Sequence, residues 1–145
     1  MNAGVAPGCG FALRRDTLRE LGGFAPMRDF GVEDVELSLR AWRLGCSILT
    51  VPESRVLHDF RKQSPYPMRV ESWLANVLLT ALLHFDSERI KQTLQATGSF
   101  ASFSQAITTV LSSDWLERKA WIDARSVRPL EGYWQMFSPQ IRGAF

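Results

Sequence analysis

From Val70 to Phe85 the apolar residues Val70, Trp73, Leu74, Val77, Leu78, Ala81, Leu82 and Phe85 recur at steps of three and four. That spacing predicts an amphipathic helix. Ser72, Asn76, Thr80 and His84 form the opposite, polar stripe at steps of four. Further helices are expected over 87–96, 102–111 and 114–124. The last twenty residues hold Trp134, Phe137 and two prolines, and no period assigns them.

Upstream of Pro65 the pattern changes to short elements punctuated by Gly and Pro. Residues 9–14 read as a short strand. Asp16 is the expected N-cap of a brief helix over 17–21, stopped by Gly22 and Gly23. A second helix is expected to open at Glu33 or Asp34 and to run to about Leu44, with Val35, Leu39 and Trp42 on one face and Gly45 as its stop. Residues 46–51, ended by Pro52, and 55–60 read as strands, followed by a polar loop over 61–67. The chain is thus expected to divide into 1–67, a small α/β segment, and 68–145, a helical extension. The class is α/β but α-rich, with the helix over 70–85 packed across a small sheet.

Composition narrows the class of function. Of 145 residues, 46% are hydrophobic and five are Trp, which argues for a folded core. The net charge is only +2 and no run of like charges occurs, so neither nucleic-acid binding nor a polybasic membrane patch is expected. Cys9 and Cys46 have neither metal-ligand spacing nor a disulfide framework, which makes a reducing setting the default. No secretory pattern opens the chain, and Asn76, Thr80 and His84 interrupt its most apolar stretch short of the roughly 20 residues of a spanning helix. The expectation is a cytoplasmic protein, peripheral to a membrane at most.

Three features between Gly8 and Tyr66 carry chemistry. Glu33, Asp34 and Glu36 place three carboxylates at one helix start. His58, followed by Asp59, ends a short expected strand, and Arg61, Lys62 and Tyr66 follow on a loop. Together they supply a carboxylate, an imidazole and a cation, a set suited to metal–diphosphate chemistry. Each alone has a simpler reading: an acidic helix start as capping, a lone His as structural, an Arg–Lys pair as solvated surface.

Order and spacing join them. The stretches Gly10-Phe11-Ala12-Leu13-Arg14-Arg15-Asp16, Leu21-Gly22-Gly23-Phe24 and Phe30-Gly31-Val32-Glu33-Asp34-Val35-Glu36 resemble the C-terminal part of GT-A-fold glycosyltransferases. Within that group the chain resembles the polypeptide N-acetylgalactosaminyltransferases and related bacterial sugar transferases. Their Trp-Gly-Gly-Glu-Asn-x-Glu segment and Ser-x-Arg-x-Trp helix correspond to Phe30 through Glu36 and then Ser38, Arg40 and Trp42. Val51, Pro52, Ser54, Val56, His58, Phe60, Arg61, Lys62, Pro65 and Tyr66 continue the match in order.

The resemblance implies the C-terminal half of a nucleotide-sugar transferase fold, with a UDP-sugar donor and a carbohydrate, peptide or lipid-linked hydroxyl acceptor. It makes His58 a ligand of Mn²⁺ (or Mg²⁺), sharing the ion with an Asp-x-Asp or Asp-x-His motif from the preceding half. Arg61 and Tyr66 would contact the diphosphate, and Gly31, Glu33 and Glu36 would lie by the sugar and acceptor. Asp34 stands where the retaining enzymes carry Asn and where inverting transferases carry their general base, whereas the loop after His58 follows the retaining pattern, so the stereochemical outcome stays open. Val32 replaces the second Gly and Phe30 the Trp. No Asp-x-Asp occurs in the chain, so the isolated chain is expected to turn over slowly or not at all, and a partner chain would supply the missing half. The alternative is a non-catalytic interaction or nucleotide-sugar-binding module.

Overall fold

The computed structural model describes residues 1–59 and 68–141, the side chains of 139–141 excepted. Among the described residues seven helices follow one another: α1 Arg15–Glu20, α2 Glu33–Arg43, α3 Val70–His84, α4 Ser87–Thr97, α5 Phe103–Leu111, α6 Trp115–Arg125 and α7 Leu130–Ile141. α1 begins two residues before its expected start, with Arg14 as N-cap, while Asp16 sits in the first turn and pairs with Arg19. The expected glycine stops are present: Gly22, Gly23 and Gly45 take φ of 77°, 72° and 86°, values that L side chains resist.

The small sheet does not form among the described residues. Residues 9–14, 46–51 and 55–59 hold no strand, and an isolated antiparallel bridge between Asn2 and Leu49 is what remains. Ala3 N–H donates to Ile48 O at 2.9 Å and Thr50 N–H to Met1 O at 3.0 Å on either side of it. A strand needs a neighbour for its backbone groups, and two short segments alone make a marginal ladder. Leu49 and Leu57 accordingly stay 65% and 98% exposed.

α3 is the centre of the molecule. Leu74, Ala75, Leu78, Leu79 and Leu83 pack with Ala106 and Val110 of α5 and Ile122 of α6. Its polar stripe is buried as well: Ser72, Asn76, Thr80 and His84 all lie in the interior. The helix was expected to lie across a sheet, and instead it is sandwiched between α5 and α6 on one side and the α2 region on the other. A period shows which residues share a face; what covers that face is a tertiary matter.

Of the C-terminal residues that no period assigned, Leu130–Ile141 form α7. Gly132 and Pro139 lower its intrinsic propensity, so packing holds it. Tyr133 and Phe137 are buried with Leu39 of α2, and the Trp42 ring meets both edge-on at 5.9 Å. The Tyr133 hydroxyl donates to Gly4 O at 2.7 Å, and burial pushes its ionisation up to about 12. Arg43 binds Asp123 at 2.6 Å and Leu83 O at 3.0 Å, so α2 is tied to α3 and α6 as well as α7. None of the described helices is long and apolar enough to cross a membrane.

Candidate functional site

The acidic helix start is approached through an unusual turn. Asp29, Gly31 and Val32 have φ of 50°, 108° and 71°, so three of four consecutive residues are left-handed. Gly31 suits this, Asp tolerates it, and a β-branched Val does so only under constraint. Glycine at the two positions 31 and 32 in the resembling pattern thus matches a backbone that favours it at both, although Val stands at 32 here.

Beyond the turn, Glu33 and Asp34 are brought together at the N-terminus of α2. Glu33 Oε2 accepts from Gly31 N–H at 2.8 Å, while Asp34 accepts from Gly8 N–H at 3.1 Å and Val35 N–H at 2.8 Å. Both carboxylates converge on Gly8: a Cβ there would lie 3.7 Å from Asp34 Oδ2 and 3.8 Å from Glu33 Oε1. Ser38 fastens the same strip of chain, donating to Asp34 O at 2.6 Å and accepting from Ala6 N–H at 3.0 Å. The helix dipole stabilises negative charge at this end by about 0.3–1 kcal/mol.

Glu36, expected beside the sugar, points inward and is 1% exposed. Arg40 Nε and a terminal guanidinium nitrogen bind its two oxygens at 3.0 and 2.7 Å, and His84 Nε2 lies 3.1 Å from Oε1. The remaining Arg40 donor reaches Leu21 O and, at 2.5 Å, Gly23 O. Burial would raise the Glu36 carboxyl, but His84 and Arg40 outweigh it and hold the group below its ordinary range. Burial lowers His84, against the pull of Glu36. A neutral His84 donating from Nε2 also fits Nδ1, which is buried with no hydrogen-bond partner among the described residues. Protonation would place an unpaired N–H there, a costly arrangement.

His58 and Asp59 lie exposed at the end of an irregular segment, and Arg61 and Tyr66 fall outside the described residues. Among the described residues no three His, Cys, Asp or Glu side chains gather closely enough to hold a metal. His58 therefore offers one donor, and the described residues do not complete a site for Mn²⁺ or Mg²⁺.

Several residues at this site escaped the sequence pattern. Asn76 of α3 receives Arg28 N–H and donates to Arg28 O and Gly31 O, each at 2.9 Å. Arg69 grips Asp29 through two 2.8 Å bonds. Those bonds, then one from Ser72, bring the Asp29 carboxyl down to about 2. The Trp73 indole covers Gly31 so closely that a Cβ there would come 2.9 Å from its Cδ1. The usable signal was the polar stripe of α3: an Asn and a His on a mostly apolar helix are explained once something polar faces them.

Two open clefts of about 560 and 660 Å³ lie away from the paired carboxylates. The first is lined by Arg43, Arg89 and Arg128, of which Arg43 is tied to Asp123 and Arg89 to Asp86 and Glu131. The second joins Arg28 to the hydroxyl-bearing face of α5, including Ser104 and Thr108, and to its C-cap Ser112.

The chain is 41% identical over 66 residues to the probable N-acetylgalactosaminyltransferase 8 of Caenorhabditis elegans, which covers 45% of this chain and 16% of that protein. It is 46% identical over 57 residues to polypeptide N-acetylgalactosaminyltransferase 11 of Xenopus tropicalis, covering 39% of this chain and 10% of that one. A longer match, 34% identical over 101 residues, covers 63% of this chain and 16% of polypeptide N-acetylgalactosaminyltransferase 5 of Caenorhabditis elegans. The chain thus spans between 10% and 16% of the length of these relatives. No protein-family model and no solved structure matches it.

Proposed function

We propose that this polypeptide N-acetylgalactosaminyltransferase-like glycosyltransferase chain supplies the acceptor side of a site that moves a sugar from a UDP-sugar to a hydroxyl group. In this reading it corresponds to the C-terminal half of a GT-A nucleotide-sugar transferase fold. The observation that carries the reading is the convergence of Glu33 and Asp34 over Gly8 at the start of α2. Asp34 acts as the base: its carboxylate takes the acceptor proton as the hydroxyl oxygen bonds to the anomeric carbon. The bond from that carbon to the diphosphate breaks, and UDP leaves with the electron pair. Glu33 acts beside it and secures the turn through Gly31 N–H. Glu36 acts from the interior, holding Arg40 and through it the Leu21–Gly23 carbonyls. His58 is assigned as a ligand of the divalent metal that would neutralise the diphosphate, and Arg61, Tyr66 and the Gly31 backbone to the donor diphosphate and sugar. By analogy with the relatives' names, N-acetylgalactosamine and a Ser- or Thr-containing peptide are the first donor sugar and acceptor to try.

The test combines calorimetric UDP binding, with and without Mn²⁺, and transfer from UDP-N-acetylgalactosamine to a Ser/Thr peptide. UDP binding should require Mn²⁺ and be lost in His58→Ala. Turnover, expected to be slow, should fall about 10²-fold or more in Asp34→Asn, a variant that keeps an acceptor for Gly8 N–H. Metal-independent UDP binding, or none, would refute the reading.

A second reading is favoured by one further observation. Leu49, Val51, Val56 and Leu57 are all exposed on or after the segment that carries the Asn2–Leu49 bridge. An exposed apolar segment of this kind suits pairing with a strand from another chain or segment. In that reading the chain is an interaction module whose partner completes the sheet. A stable monomer at high concentration, by sedimentation or scattering, counts against it.

A further inference from the structure

Asn76 stands out because its three side-chain hydrogen bonds are all directed at one turn. It is 2% exposed, on a helix whose neighbouring positions Leu74, Ala75 and Leu78 are core. Its carbonyl oxygen accepts from Arg28 N–H, and its amide nitrogen donates to Arg28 O and Gly31 O. Toward Arg28 it behaves as a neighbouring strand would, pairing with both backbone groups of one residue. The bonded residues bracket Asp29 and end beside Val32, the two non-glycine residues in left-handed conformation. Strained backbone of this kind persists where the surroundings over-determine it.

α3 adds two further holds on the same turn. Arg69, its N-cap, binds both oxygens of Asp29, and Trp73 lies against Gly31. Positions 69, 73 and 76 are four and three residues apart, so one face of one helix presents all three. Gly31 is consequently fixed on each side: its carbonyl by Asn76, its N–H by Glu33 and its bare α-carbon by Trp73.

We infer that Asn76 is the positioning residue of the acidic site: its carboxamide holds the Arg28–Gly31 turn in the form that presents Glu33 and Asp34 at the start of α2. The geometric part stands by itself, and its consequence for turnover rests on the proposed transferase reading.

Amide hydrogen exchange in Asn76→Leu and in the isosteric Asn76→Asp separates the two parts. Asn76→Asp keeps the acceptor for Arg28 N–H but replaces the donor that faces Arg28 O and Gly31 O. The reporting amide is Gly31, which binds Glu33 and not Asn76. Its exchange should quicken by about tenfold, the scale of one hydrogen bond, while the amides of Val110 and Ile122 in the core change little. If Asn76→Leu does not fold, Asn76→Asp reads the same amide. Unchanged exchange at Gly31, or equal quickening at Gly31 and the core amides in Asn76→Asp, overturns the inference. In the transfer assay, run well below the melting temperature of each variant, kcat per folded chain should fall about tenfold with KM for the UDP-sugar unchanged; a smaller folded fraction also lowers apparent kcat and is read separately from the core amides. An unchanged kcat overturns the functional part. Absence of both turnover and Mn²⁺-dependent UDP binding in the unsubstituted chain would instead count against the transferase reading and leave the exchange result standing.

Discussion

Val32→Gly should stabilise this protein, against the usual direction of substitutions to glycine. Val32 is the N-cap of α2 at φ 71° and ψ −4°, and its side chain makes no cap hydrogen bond. An L residue in the left-handed region costs about 1–2 kcal/mol, and strained positions reach about 3. Against that relief, glycine returns roughly 0.5–1 kcal/mol through the freedom it gives the unfolded chain. Val32 is only partly buried, so removing its methyl groups takes back a further fraction. With the relief for a β-branched residue taken at the upper end, about 2–3 kcal/mol, and the burial loss at about 0.5, the net is about 0.5–1.5 kcal/mol in favour of the variant. For a chain of this size that is a rise in Tm of roughly 1–6 °C. Thermal melts by circular dichroism and urea titrations check it, with an unchanged m-value required for the comparison to hold. Val35→Gly, inside α2, is the control and should be destabilised by about 1 kcal/mol or more. A Val32→Gly variant that melts at or below the unsubstituted chain, with the same m-value, would refute a strained left-handed backbone at this position.

Two further outcomes follow from the buried cluster below the site. Arg40→Met should destabilise by about 3–5 kcal/mol in urea, because Glu36 is left buried without its cation, and Glu36→Leu in the same chain should recover part of that loss. Stability should also fall on acidification: His84 is held below its ordinary 6.5, so the unfolded chain takes up that proton first and the contribution is complete above about 6.5 and lost as pH drops toward the folded value. Glu36, held below its ordinary 4.5, adds a second loss at still lower pH. Melting temperature measured from pH 8 to 4 should therefore decline below 6.5, and a flat profile there refutes a buried neutral His84.

The sequence by itself determined what depends on residues close along the chain. α2 and α3 were legible almost to the residue, because their apolar spacing and the Gly45 stop act within a few turns. The acidic start of α2 was legible for the same reason, and the resemblance of residues 30–42 to a known pattern marked it as a candidate site. What depends on a distant neighbour was not legible. The three expected strands are apolar enough, but without neighbours to pair their backbone they stay irregular among the described residues. α7 lacks a readable period because it is held by Trp42 and Leu39 rather than by propensity. Glu33, Asp34 and Glu36 look alike in sequence, yet α2 turns two toward Gly8 and the third into a cluster with Arg40 and His84. The polar stripe of α3 reads as a solvent face until the turn over 28–31 is placed against it. A helical period specifies which side chains share a face; tertiary packing decides whether that face meets water or, as at Asn76, another part of the same chain.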